Sequence, residues 1–156
     1  MRLGSLLRLR LQDIWVHEQD LREVLGRMGD LDSPAAASFV QAIVRSFPRL
    51  MAQVPMPDGQ TLIVESTGPV TARIGVRVSH DASGQRSDHV LFTGESESGM
   101  GEVVHSEEDP STSIALSTEE LTRRAAGRRP TEQTAYSVVG DEELAARVMD
   151  ALAFTP

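Results

Sequence analysis

Between residues 53 and 61 the spacing of apolar residues changes from helical to alternating, and no other feature of the chain limits its fold as much. Upstream, Leu7, Leu11, Ile14, Leu21, Leu25 and Met28 recur at steps of three, four or seven. That spacing predicts a helix over 5–28 with one apolar face. Gly26 and Gly29 lie near its end. Ser33-Pro34 reads as an N-cap followed by proline at the first helical position. A second helix is expected over 34–53, with Phe39, Ile43, Phe47, Leu50 and Met51 as its apolar set. Pro48 lies inside this pattern and is expected to kink or split it, because proline lacks the N–H a helix interior uses. Pro55-Met56-Pro57-Asp58-Gly59 is a turn-rich boundary.

Downstream the period is two. Residues 61–67 (TLIVEST) read as a strand, Gly68-Pro69 as a turn, and 70–79 as a second strand of a hairpin. In the latter, Val70, Ala72, Ile74, Val76 and Val78 alternate with Thr71, Arg73, Gly75, Arg77 and Ser79, which predicts one dry and one wet face. A polar loop over 81–87 and a short strand from His89 to Thr93 follow. Residues 94–110 are rich in Gly, Ser and Glu and are expected to form a mobile loop, though their acids could also rim a site. A strand over 112–116 leads to Ser117, which forms a capping box with Glu120 and opens a helix to Ala126 that Gly127 ends. A strand over 134–139 follows, and Gly140-Asp141 opens a last helix over 142–153, with Leu144, Val148 and Leu152 on one face. The expected class is α+β: two N-terminal helices, then a small mixed or antiparallel sheet packed with helices. The expected division is 1–54 and 58–156.

Charge narrows the partners. The net charge is -8. Residues 58–156 hold eight Arg against seventeen Asp or Glu, so nearly all of the excess lies there. An acidic body argues against nucleic acid, which needs a basic stripe to displace counterions. No apolar run approaches the roughly 20 residues of a membrane span. Met1 to Leu11 interleaves Arg2, Arg8 and Arg10 with leucines, so it does not read as a signal peptide. There is no cysteine, which excludes disulfides, thiolate metal sites and a cysteine nucleophile. A cytoplasmic location is the expectation.

Two constellations could carry chemistry. Asp13, His17 and Asp20 stand at i, i+4 and i+7 and so share one helical face. A carboxylate and an imidazole one turn apart can share a divalent cation such as zinc, but two ligands do not close a site. The same spacing also serves a surface ion pair. Arg123, Arg124, Arg128 and Arg129 flank Gly127. Clustered guanidinium groups can grip a substrate carboxylate, or can complement the helix dipole and the chain's many acids. His80, His89 and His105 are scattered and expected to face solvent or bond locally. No phosphate loop, nucleophile elbow or H-E-x-x-H occurs.

The string Asp13-Ile14-Trp15-Val16-His17-Glu18-Gln19-Asp20-Leu21-Arg22 resembles the metal-helix signature of the mycothiol-dependent maleylpyruvate isomerase family, part of the wider DinB-like bundle group. At the far end, Leu121–Arg128 (LTRRAAGR), Val139-Gly140-Asp141-Glu142-Glu143-Leu144 and Ala153-Phe154-Thr155-Pro156 are similar to that family's sterol-carrier-like C-terminal domain. The resemblance implies that 1–54 is a remnant of the metal-binding helical domain and 58–156 the α+β domain. It implies a divalent metal, usually zinc, on Asp13 and His17. It implies mycothiol as cofactor, whose thiolate adds reversibly to an unsaturated acid. It implies that Arg128, or as second choice Arg124, binds the acidic substrate.

The sequence departs from the family in one respect. No histidine precedes His17, and residues 1–12 cannot hold the earlier bundle helices, so the implied protein is a truncated one with an incomplete metal site. The apolar face of the first helix must then pack on 34–53, on the C-terminal domain, or on another copy or missing-helix partner; exposed, it is an association surface. The alternative function is a non-catalytic module for small-ligand binding or dimerisation.

Overall fold

The computed structural model describes residues 3–92 and 111–153. Its elements are α1 (Leu3–Val24), α2 (Pro34–Met51), β1 (Thr61–Thr67), β2 (Ala72–His80), β3 (Arg86–Phe92), β4 (Ser111–Ser117), α3 (Thr118–Ala125), β5 (Tyr136–Val139) and α4 (Glu142–Ala151), with one 3-10 turn at Thr131–Gln133. The fold is α+β, with two helices ahead of a mixed five-stranded sheet of order β3-β2-β1-β4-β5. β1 and β2 form the expected antiparallel hairpin, β1 and β4 pair in parallel, and β5 returns antiparallel to β4. None of the described helices is long and apolar enough to cross a membrane.

Alternation sets the faces of the sheet. Ile74, Val76 and Val78 of β2 join Leu62 and Val64 of β1 and Ile114 and Leu116 of β4 in the core. On the opposite face Arg73 meets Glu65 directly across the hairpin at 2.6 Å. α2, α3 and α4 cover the dry face with Phe39, Ile43, Phe47, Leu121, Leu144 and Val148. One core therefore runs from α2 through the sheet to α4, across residues 55–57.

Caps form where the sequence places them. Ser33 accepts from Ala36 N, Ser117 from Glu120 N, and Asp141 from Leu144 N. Gly140 carries φ 111°, and a Cβ there would lie 2.4 Å from the Ser111 carbonyl oxygen, so the turn into α4 needs glycine.

Three expectations need correction. Of the two outcomes expected at Pro48, the split is the one overturned: the second helix runs unbroken from Pro34 to Met51. Phe47 and Met51, on either side of it, are fully buried, and their packing outweighs one missing hydrogen bond. β3 begins at Arg86 rather than His89. Arg86 donates to the carbonyls of Val54 (2.6 Å) and Met51 (2.8 Å), so the start of the strand is tied to the end of α2. The first helix ends at Val24, short of Met28. The expected loop over 94–110 and His105 lie outside the described residues.

The apolar face of α1 gives the largest departure. Leu7, Ile14, Leu21 and Leu25 are each more than 60% exposed, and this face packs neither on α2 nor on the sheet. The helix buries Gln12, Trp15, Val16 and Gln19 instead. Gln12 Nε2 donates to the Ser38 carbonyl and hydroxyl, and Trp15 Nε1 donates to Asp30. The Trp15 ring sits 5.9 Å from that of Phe39.

Candidate functional site

The helical repeat puts Asp13, His17 and Asp20 on one side of α1, as the spacing requires. His17 Nε2 lies 3.7 Å from Asp13 Oδ1, and His17 Nδ1 lies 3.4 Å from Asp20 Oδ2. Arg10 Nη1 approaches Asp13 at 3.3 Å. The next turn faces the C-terminal end of α3. There Arg123 Nη1 donates to Asp20 Oδ1 at 2.6 Å, and Arg128 Nε donates to Asp20 Oδ2 at 3.2 Å. Arg123 Nη2 reaches Glu23, and Arg129 bonds Glu23, Glu119 and Glu120. Three arginines thus fasten the acidic edge of α1 to the other end of the chain.

Asp20 feels these neighbours. Partial burial pushes its carboxyl up, but the hydrogen bonds from Arg123 and Arg128 outweigh that and hold it below the usual carboxylate value. The cost of desolvating Arg123, whose side chain is 6% exposed, is offset by two carboxylates.

Beside this network a cleft of about 470 Å3 opens between α1, α2 and Arg128. Asp13, His17 and Arg128 all line it. Three of the four residues that the resemblance implicates therefore meet around one space, although Arg128 is more than a hundred positions from the others. Leu6, Leu9, Val16 and Phe39 supply its apolar walls. Arg128 is held by Asp20 through Nε and by the Ala126 carbonyl through Nη1, which leaves Nη2 without a partner among the described residues.

Arg124 does not join them. It is buried, and donates to the carbonyls of Met149 (2.8 Å), Asp150 (2.9 Å) and Arg129 (3.3 Å). It satisfies main-chain acceptors at the end of α4 and so helps to hold that helix. His80 bonds Asp58 and His89 bonds Ser79, as expected of scattered histidines.

A metal fits the described residues only in part. Asp13 and His17 offer two ligands on one turn, while the third carboxylate, Asp20, is committed to two guanidinium groups. Among the described residues no group of three or more His, Cys, Asp or Glu could hold a metal ion. A four-coordinate zinc site is not complete in this set.

Sequence reasoning missed Arg123 as the main anchor of α1, and Gln12 and Phe39 as its seat. The only signal available was complementarity: Asp20 and Glu23 at i, i+3 on one segment and a run of arginines on another. Comparison with protein-family models, with curated proteins and with solved structures found no match.

Proposed function

We propose that the cleft beside α1 binds a small organic acid and that the chain takes part in a thiol-dependent isomerisation similar to that of the mycothiol-dependent maleylpyruvate isomerases. The observation that supports this is the meeting of Arg128 with Asp13 and His17 around one cavity. Arg128 is the carboxylate receptor: its Nη2 has no partner among the described residues, while Asp20 fixes the plane of the guanidinium group. Mycothiol would supply the nucleophile, since the chain has no cysteine. That thiolate would supply reversible addition to the carbon–carbon double bond of the acid, while Arg128 would hold the carboxylate.

A metal ligand beyond Asp13 and His17 would have to come from outside the described residues, and no metal-dependent step is derived. That shortfall favours a second reading, in which the chain binds the acid without turning it over. One experiment separates them. The full chain is given zinc, mycothiol and maleylpyruvate, and cis-to-trans conversion is followed together with bound zinc per chain. Turnover that needs mycothiol and is lost in Arg128→Gln and His17→Ala is the expected result. No turnover and no bound zinc, with maleate still binding, would leave the non-catalytic module.

A further inference from the structure

We propose that the leucine face of α1 pairs with the same face of a second copy, making the chain a twofold homodimer. Leu7, Leu11, Ile14, Glu18, Leu21 and Leu25 follow one another by alternate steps of four and three. That is the repeat of a helix that meets another along a seam, with the two axes about 20° apart. A membrane surface asks only for an apolar side and not for this repeat. The sole charge in the seam, Glu18, is already paired with Arg22 of the same helix at 2.7 Å. A twofold contact sets each patch against its own image, so a seam with no unpaired charge meets itself without repulsion. The apolar sides of α2 and α4 are spent in the core, and α3 is only Thr118–Ala125. Among the described helices α1 alone has such a seam to offer, so the contact is α1 on α1. Size agrees with a dimer. The five apolar seam residues and Leu3 are each 44% to 72% exposed. With a leucine offering about 150 Å2, no more than a small aromatic side chain, one copy presents on the order of 550 Å2 of apolar surface. At the roughly 65% apolar content of homodimer interfaces, two copies bury about 1,700 Å2 in all. Stable interfaces bury about 1,200–2,000 Å2. None of these residues lines the cleft, so the surface is separate from the proposed acid site.

The test is sedimentation equilibrium of the full chain over a wide range of concentration, with no ligand added. A mass twice that of one chain is expected, with a dissociation constant in the micromolar range or tighter. Ile14→Glu and Leu21→Glu, at side chains 65% and 66% exposed, should each raise that constant at least about tenfold, and together at least about a hundredfold. Circular dichroism of the variants in dilute solution should match the parent, since neither residue belongs to the core. Should a glutamate unfold the helix, Leu25→Gln, one residue past it, gives the milder form of the same test. Val139→Ser, at the exposed apolar residue of β5, should leave the constant unchanged. A single-chain mass at every concentration would overturn the proposal. So would a dimer that survives both glutamates or is lost in Val139→Ser, because the contact then lies elsewhere. A mass that climbs past two chains marks a head-to-tail contact and overturns the twofold pairing.

Discussion

α1 and α2 are both amphipathic and lie side by side, yet they are held in opposite ways. α2 turns its apolar side inward, with Phe39, Val40, Ile43, Val44, Phe47 and Met51 in the core. α1 turns its leucines outward and seats itself through Trp15, two glutamines and an ion-pair network. A burial-driven helix and a charge-anchored one respond to different insults. The difference shows that an apolar stripe marks a helix as two-sided without saying which side its neighbours will take. For α1, three arginines from the far end of the chain decide the matter.

The contrast can be broken first in the core. Phe47→Ala removes a ring that is fully buried and is expected to cost about 4 kcal/mol in urea-unfolding stability. A loss under about 1 kcal/mol would mean that α2 is not burial-driven after all.

Next is the anchor of α1. Asp20→Asn removes one carboxylate from Arg123 and Arg128 and is expected to cost about 2 kcal/mol at neutral pH. The sign with pH follows from a folded-state carboxyl held below its ordinary value. Its contribution is whole above the unfolded pKa of about 4 and is lost as pH falls through the lower folded value. Urea titrations of both proteins should therefore converge in strong acid; a gap that persists there would mean the loss is one of packing rather than charge.

A smaller effect is expected at the start of α2. Ser33→Ala deletes the acceptor for Ala36 N and should cost about 1 kcal/mol, read as a shift in the urea midpoint. The smallest belongs to the leucine face. Leu21→Ala, at a side chain 66% exposed, should change stability by less than about 0.5 kcal/mol in dilute solution. A loss several times larger, growing with protein concentration, would show the face to be covered by another polypeptide.

Much of this architecture was legible in the residues themselves. β1 has the bounds its alternation predicts, and Ser33-Pro34, Ser117 and Asp141 open their helices because caps are local hydrogen bonds. What stayed hidden was non-local. Nothing near Leu21 indicates that it faces solvent, because that depends on Arg123 and Arg128 about a hundred residues away. The choice between Arg124 and Arg128 was open for the same reason. They flank Gly127, whose positive φ of 69° turns the chain, and only the placement of α4 reveals that Arg124 is spent on carbonyls. Asp13 and His17 were legible as a pair, and the cleft they share with Arg128 was not.

The central position of the parallel β1–β4 pair bears on how the chain is assembled. β1, β2 and β3 can meet through short turns as they are made. β4 must close a long loop, as the 52-residue span of the Gln60–Thr112 hydrogen bond attests. Until Ser111–Ser117 arrives, one edge of the strand carrying Leu62, Ile63 and Val64 has no neighbour. A growing chain at that stage is exposed to pairing with other strands, and docking of β4 is the step that ends the hazard.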